Sequence, residues 1–351
     1  MFPKEELLGW YDRNKRAMPW RESVDPYCIW LSEIILQQTR VDQGMPYYER
    51  FVTTFPNVKS LANASEDEVL KLWEGLGYYS RARNLHATAK YIASDLEGNF
   101  PTTYQGLLAL KGVGPYTAAA IGSIAFGLKA AAVDGNVNRV LARFFGIMES
   151  IDEASTKKTI SILANEVLNS NRPGDHNQAI MELGATVCTP QQPDCVHCPL
   201  VLGCKAQQLG SQSELPVRSK RVRIRNRYFN YTAVLHDDEV AISRRGQGDI
   251  WQGLYEFPLI ETDSRLSETD LVQMVTSEYQ GVVISISKEF KHVLSHQHVY
   301  ARFLLLRVAK RPTEDLKWVS MAELRKFAFP RLINRYIDSS SFDFDAEVSN
   351  I

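Results

Sequence analysis

The residues that could do chemistry in this chain are clustered. Four of its five cysteines fall in CTPQQPDCVHCPLVLGC, residues 188–204, at the spacing C-x6-C-x2-C-x5-C. Cys188, Cys195, Cys198 and Cys204 offer four thiolates, a set that holds zinc or an iron–sulfur cluster. Zinc sites usually come as two C-x2-4-C pairs, and only one such pair is present, which weighs against zinc. His197 lies inside the tight pair but is surplus once four thiolates are counted. Cys28 follows Tyr27 in an apolar helical stretch and reads as an inert buried thiol.

Two carboxylates stand out. In DPYCIWLSEIILQQTR, residues 25–40, Asp25 can cap a helix with Pro26 in its first turn. The helix body is apolar almost all round, so it should be buried, and Glu33 sits in the middle of it. Desolvation raises a carboxyl's pKa, and a carboxylic acid kept protonated near neutral pH can act as a general acid. Equally, Glu33 could open on a cleft or pair with an arginine. Gln37 lies one turn further along the same face. The second carboxylate is Asp134, in AAAVDGNVNRVLARFF, where the ordinary role is a helix N-cap.

In LLALKGVGPYTAAAI, residues 107–121, two helical patterns meet at Gly112, Val113 and Gly114. Glycine admits positive φ and close backbone approach. Pro115 suits the first turn of the next helix, whose free amides can hold a phosphate. The arrangement reads as a helix–hairpin–helix clamp on a nucleic-acid backbone, or as a tight turn alone.

The elements that must position these residues change character along the chain. The first two hundred residues carry helical periodicity, as in EELLGWYDR, EDEVLKLWEGL and KKTISILANEVLN, with Ser65 and Glu68 spaced as a capping box. From about residue 218 the pattern alternates: RVRIRNRYFNYTAVLH, EVAISRR, GVVISIS and HVYARFLLLRVA read as strands, and helical patterns sit near ETDLVQMVTSEY and SMAELRKFAF. The expected division is a mainly α domain over residues 1–205, a polar linker over 206–227, an α+β domain over 228–340 and a flexible tail over 341–351. MFPKEELLGWYD is no signal peptide, and TAAAIGSIAFGL is too short to span a bilayer. These features suggest a cytoplasmic protein with no membrane partner, where disulfides are disfavoured. The net charge is −1, so any nucleic-acid surface must be local. RSKRVRIRNR, residues 218–227 with six basic residues and no acid, is one candidate, or a charged edge strand that discourages pairing.

These motifs together resemble the helix–hairpin–helix glycosylase superfamily of endonuclease III and the adenine DNA glycosylases (MutY), over about residues 5–330. The resemblance implies a helix–hairpin–helix glycosylase domain with an iron–sulfur loop, followed by a MutT-like (Nudix-fold) domain. It implies a [4Fe–4S] cluster on the four cysteines and a substrate of duplex DNA carrying adenine opposite 8-oxoguanine or guanine. Glu33 matches the catalytic acid, and Asp134 the carboxylate that stabilises the cationic sugar, with Asn136 beside it. Gln37 or Gln38, grouped with Leu36 and Thr39, matches the wedge that enters the duplex. PWR (Pro19, Trp20, Arg21) matches the adenine pocket, where Trp20 can stack or simply pack in the core, and Arg16 or Arg21 offers a fork of donors. Gln178 can read one adenine edge, and Tyr78 matches a pocket and wedge position. Tyr116 stands where strand-cutting relatives keep a Schiff-base lysine, so base removal without lyase action is implied.

Two departures from the family pattern accompany this. Lys111 replaces a hairpin proline, leaving the turn and adding a charge. In KHVLSHQHVY, Ser295 and His296 match the loop that touches 8-oxoguanine, but Leu294 replaces phenylalanine. GDIWQGLYEFP resembles the MutT-like domain, yet the carboxylate-rich magnesium helix REx2EE is absent, so that domain reads as a lesion reader. A monomer is expected, and a sliding-clamp or mismatch-repair partner stays open although no motif for one is visible. The competing readings are a pyrimidine-damage glycosylase of the endonuclease III type, a silent DNA-lesion binder and an electron-transfer protein. Tyr116 and the second domain argue against the first, Glu33 and Asp134 against the second, and the hairpin against the third.

Overall fold

The computed structural model describes residues 2–219, 224–312, 315–339 and 342. The chain forms two compact units, Met1–Ala64 with Asn84–Lys220 and Ser65–Arg83 with Arg221–Ile351. The helices run α1 (Lys4–Asn14), α2 (Pro26–Leu36), α3 (Val41–Thr54), α4 (Val58–Asn63), α5 (Glu66–Leu72), α6 (Ser80–Asp95), α7 (Tyr104–Leu108) and α8 (Pro115–Phe126). They continue with α9 (Gly135–Phe145), α10 (Ala154–Val167), α11 (Pro173–Thr186) and α12 (Lys205–Leu209). Among the described residues, no helix is long and apolar enough to cross a membrane.

Unit 1 is helical for the reasons its sequence suggests. Asp25 accepts the Tyr27 amide at 2.9 Å and starts α2 with Pro26 in its first turn. Trp30, Leu31 and Ile35 are fully buried on that helix. Helices α1, α9, α10 and α11 enclose a second apolar cluster around Leu7, Leu141, Ile160 and Leu183, against which Cys188, Cys198 and Cys204 pack.

Unit 2 is an α+β fold. Its strands are β1 (Arg225–His236), β2 (Glu239–Arg244), β3 (Tyr255–Glu256), β4 (Leu259–Thr262), β5 (Gly281–Ile286), β6 (Phe290–Val293), β7 (Gln297–Val308) and β8 (Lys317–Ser320). They form a sheet of order β3-β2-β1-β7-β5, with β4 on β1, β6 on β7 and β8 on β2. β1 and β7 run parallel from Arg225↔Gln297 to Leu235↔Arg307, and the other pairings are antiparallel. One face packs against α13 (Glu268–Tyr279) through Val234, Leu304, Leu306, Leu271 and Val275. Helix α14 (Met321–Leu324) is a single turn. The other face stacks Tyr231, Phe303 and Tyr336, the last from α15 (Arg331–Ile337), with Phe303 and Tyr336 ring centres 4.1 Å apart.

Several boundaries differ from the sequence expectation. Residues 65–83, grouped above with 1–205, pack in unit 2 because their polar side chains are answered there. The Glu74 carboxylate accepts from the Phe329 amide and the Asn334 side chain, both at 2.8 Å, and Tyr255 donates to Asp67 at 3.1 Å. The Ser65–Glu68 capping box forms as its spacing implies. The stretch read as a linker contains most of α12 and the start of β1. Of the basic run 218–227, residues 220–223 lie outside the described residues, and so does the expected tail apart from Phe342. Arg227 is not a free cation: it is buried and forks onto Asp249 and Glu261. Phe303 touches stacked rings on both sides. Phe303→Ala should lower the stability of unit 2 by about 3–5 kcal/mol in denaturant unfolding followed by near-ultraviolet circular dichroism.

Candidate active site

Helices α2, α8, α9 and α11 bring distant segments to one cavity of about 190 Å³. Its walls include Glu33 and Leu36 from α2, Tyr116 from α8, Asn136 from α9, and Gln178, Met181 and Glu182 from α11. Arg16, Trp20, Arg21, Thr39 and Asp134 also border it. Ten of the residues singled out from sequence therefore converge, although they span Arg16 to Gln178.

The two carboxyls have different surroundings. Burial lifts Glu33 to about 7, and the charge of Asp134 pushes the same way. The nearby Tyr116 hydroxyl, which donates to the Met181 sulfur at 3.3 Å, and Arg21 partly oppose this. Asp134 caps α9, accepting the Val137 amide at 2.7 Å and the Asn136 side chain at 2.8 Å. Burial raises its carboxyl too, against these hydrogen bonds. The capping role and a place on the cavity wall thus coexist.

Asn136 in turn accepts from Arg139 at 2.8 Å, and Arg139 donates to the carbonyls of Gly184 and Cys188 at 2.7 and 2.8 Å. The cavity wall is thereby tied to the start of the cysteine loop. A Cβ on Gly184 would lie 2.6 Å from the Asn136 Cβ, so only glycine permits this approach.

The arginines are placed otherwise than as free donors. Arg16 and Arg21 border the cavity, but their guanidinium groups grip the Glu182 carboxylate at 2.6–3.0 Å. Glu182 is 1% exposed and escaped the sequence reading. Its position one helical turn after Gln178 in HNQAIMELGATVC was the available signal. Gln178 accepts from the Tyr11 hydroxyl at 3.2 Å. Trp20 is buried edge-on against Tyr48, 5.0 Å between centres, while its side also lines the cavity.

Gln37 and Gln38 do not line the cavity. Gln37 donates to Thr117 at 3.2 Å, whereas Gln38 is exposed with a left-handed φ of 57°. Next to them is the hairpin between α7 and α8. Gly112 has φ 80°, and a Cβ there would come within 2.8 Å of Asn84. The turn is held by Thr88 donating to the Lys111 carbonyl at 2.8 Å. Val113 is buried beneath it. Gly114 is the N-cap of α8, no side chain caps that end, and space beside it is open. Tyr116 also borders a larger cleft of about 930 Å³ that carries Lys129 and Lys157.

Cys188, Cys195, Cys198 and Cys204 line one small cavity with Arg143. Arg143 is 2% exposed and donates to the Cys188 sulfur at 3.3 Å and to the Thr189, Pro190 and Leu215 carbonyls. Burial pushes the Cys198 thiol up to about 12, and neighbouring thiols add to the effect. Among the described residues, no group of three or more potential ligands that could hold a metal ion is found. His197 turns outward to Asp194 at 2.7 Å, and Cys28 is half-buried near Asp25, apart from the other thiols.

In unit 2, Tyr78, Leu294, Ser295 and His296 line a separate pocket of about 360 Å³ with Trp251 and Asp249. Tyr78 is 46% exposed at a left-handed φ of 47°, and its hydroxyl lies 2.5 Å from the Ser295 hydroxyl. Ser295 and His296 form the tip of the β6–β7 turn, closed by the Leu294 amide on the Gln297 carbonyl.

Comparison with known proteins places the helical unit in the class of base-excision DNA repair proteins. Residues 31–166 match the HhH-GPD superfamily base excision DNA repair protein family, and residues 230–339 match the NUDIX domain. A thermostable thymine-DNA glycosylase structure aligns with a TM-score of 0.53 at 29% identity, over 59% of this chain and 95% of that one. The adenine DNA glycosylase of Buchnera aphidicola (Schizaphis graminum) is 33% identical over 85% of this chain and 84% of its own length. The human adenine DNA glycosylase is 45% identical over 60% of this chain and 40% of its own length. The chain belongs to the adenine DNA glycosylases, and its reaction is the removal of adenine in base-excision repair.

The Glu182 clamp yields a prediction with a definite sign. Burial works against the Glu182 carboxylate, but the hydrogen bonds from Arg16 and Arg21 outweigh it and hold the carboxyl below the usual range. Its stabilisation is therefore present above the unfolded pKa and is lost as pH falls through the folded one. Glu182→Leu leaves Arg21, 12% exposed, without its partner. It should lower stability by about 3 kcal/mol at pH 7, with the gap to the wild type closing in thermal melts below pH 4.

Proposed function

We propose that this enzyme removes adenine paired with 8-oxoguanine or guanine, without cutting the strand. The observation that carries the mechanism is the pairing of Glu33, lifted to about 7, with Asp134 on one cavity wall. A base must leave the stack to be worked on. The extruded adenine enters the cavity, where Glu33 gives its proton to N7 and makes the base a better leaving group. The N-glycosidic bond breaks through an oxocarbenium-like state, as in glycoside hydrolysis with two carboxyls. Asp134, oriented by Asn136 and the Val137 amide, stabilises that cation until water adds. Tyr116 steadies Glu33 and offers no amine for a Schiff base. Trp20, Gln178, Leu36 and Thr39 hold the base, while Arg16 and Arg21 act through Glu182. The exposed, left-handed Gln38 is the wedge, and Gln37 braces α8. The amides after Gly114 hold a backbone phosphate.

The four thiols fit an iron–sulfur cluster better than zinc. Their spacing holds one C-x2-C pair, where zinc sites usually have two. The buried Arg143 beside Cys188 suits a site of accumulated negative charge. Such a cluster would fix the loop geometry that Arg139 and Arg143 share with the active site. The Tyr78, Ser295 and His296 pocket of unit 2 faces the partner base. Leu294 gives it an aliphatic wall in place of a ring. Glu256, the carboxylate in the MutT-like stretch, is tied to Arg245 at 2.7 and 2.9 Å, which suits a reader and not a hydrolase.

Single-turnover assays on labelled duplexes test this. Strand breaks should appear only after alkali. The rate should fall about tenfold per pH unit above 7 as Glu33 ionises. Tyr116→Phe removes a hydroxyl that favours ionised Glu33, so this alkaline limb should move to higher pH. Glu33→Gln should lose about 10²–10⁴-fold in rate; near-normal adenine release would dismiss Glu33 as the acid. Ser295→Ala should reduce the preference for 8-oxoguanine over guanine by roughly 2–10-fold, leaving the rate opposite guanine unchanged. The purified protein should be brown and contain iron.

A further inference from the structure

The α13 face of the unit 2 sheet is covered only in part. α13 packs over Val234, Leu304 and Leu306. Alternate residues of a strand share a face, so Tyr228 on β1 and His298, Tyr300 and Arg302 on β7 belong to the same surface, nearer the strand starts. Tyr228 and Tyr300 are register partners, half-buried, with rings stacked 5.5 Å apart at 19°. Cations gather on this pair. The Arg265 guanidinium lies 4.6 Å from the Tyr300 ring centre and 5.7 Å from that of Tyr228, and the Lys291 ammonium lies 5.5 Å from Tyr300. His298 sits edge-on to Tyr300. The carboxylate at hand, Glu289, is bonded to Arg265. Lys291 and Arg302, whose guanidinium also donates to the Leu266 carbonyl at 3.4 Å, give the face a positive balance.

This face is continuous with the pocket of the β6–β7 turn. Val293, which lines that pocket, is 63% exposed and is the register partner of His298. A strand whose base is read at Ser295 and His296 therefore leaves over His298, Tyr300 and Lys291. Rings that fix cations on an open sheet match a nucleic-acid backbone. We propose that this face is a phosphodiester track: Lys291 and Arg302 contact phosphates of the partner strand flanking the base that the turn reads, and the tyrosine pair supports them. The track rests on the assignment of that turn to the partner base.

The test is equilibrium binding of the full chain across a salt series, in a Glu33→Gln background that leaves the adenine in place. Three duplexes are compared: undamaged, adenine opposite guanine, and adenine opposite 8-oxoguanine. Each lost phosphate contact should flatten the plot of log K against log salt by about 0.9. Lys291→Gln, an exposed change that spares the fold, should flatten it by about 0.9, and Lys291→Gln with Arg302→Gln by about 1.8. All three duplexes should lose affinity by the same factor, since phosphates carry no sequence information. An unchanged slope would overturn the track, and so would a loss confined to the 8-oxoguanine duplex. Should the parent chain bind all mispairs alike, the lesion pocket fails as assigned, while the slopes still decide the track.

Discussion

Glu33 lies in a helix whose neighbours are almost all apolar, and desolvation there lifts its carboxyl from 4.5 to about 7. A shift of that size corresponds to on the order of 3 kcal/mol against the ionised form. It is what leaves a proton available for transfer at neutral pH. The rest of the site protects this condition. Arg21 lies near enough to favour ionised Glu33, yet its donors are taken by Glu182 and the Arg16 carbonyl. The buried Glu182 carboxylate, clamped by two arginines, thus keeps their charge from holding Glu33 ionised.

The same economy recurs around the cysteine loop. Arg139 and Arg143 lie one turn apart on α9 and are both buried. Arg139 reaches Asn136 and the Cys188 carbonyl, and Arg143 reaches the Cys188 sulfur and the following carbonyls. Buried guanidinium groups satisfied by carbonyls define geometry more than they add stability. Here they tie the wall that holds Asp134 to the first cysteine of the loop. In unit 2, Arg227 and Arg245 share Asp249, which lines the pocket of Tyr78 and Ser295.

Much of the site was legible because local chemistry demanded it. An acid within an apolar helix, an aspartate before a helix, glycines at a turn and spaced thiols each restrict what the chain can do nearby. Asp25, Ser65 and Asp134 cap helices as their spacing implies. Short strands were another matter: β3, β4, β6 and β8 run two to four residues each, too few for alternation to register. The helical pattern near SMAELRKFAF shrinks to one turn, while the helix at Arg331–Ile337 went unseen.

The helix starts, the alternation of the long strands, the set of spaced thiols and the two candidate carboxyls were readable from the sequence, since each depends on neighbours a few residues away. Only the tertiary structure decided that Arg16 and Arg21 spend their donors on Glu182, that Gln37 is braced while Gln38 is exposed, and that residues 65–83 pack with the second unit. Those outcomes depend on partners far along the chain, such as Asn334, 260 residues from Glu74. Burial and pairing at such separations are settled by how the elements dock, and no local pattern encodes them.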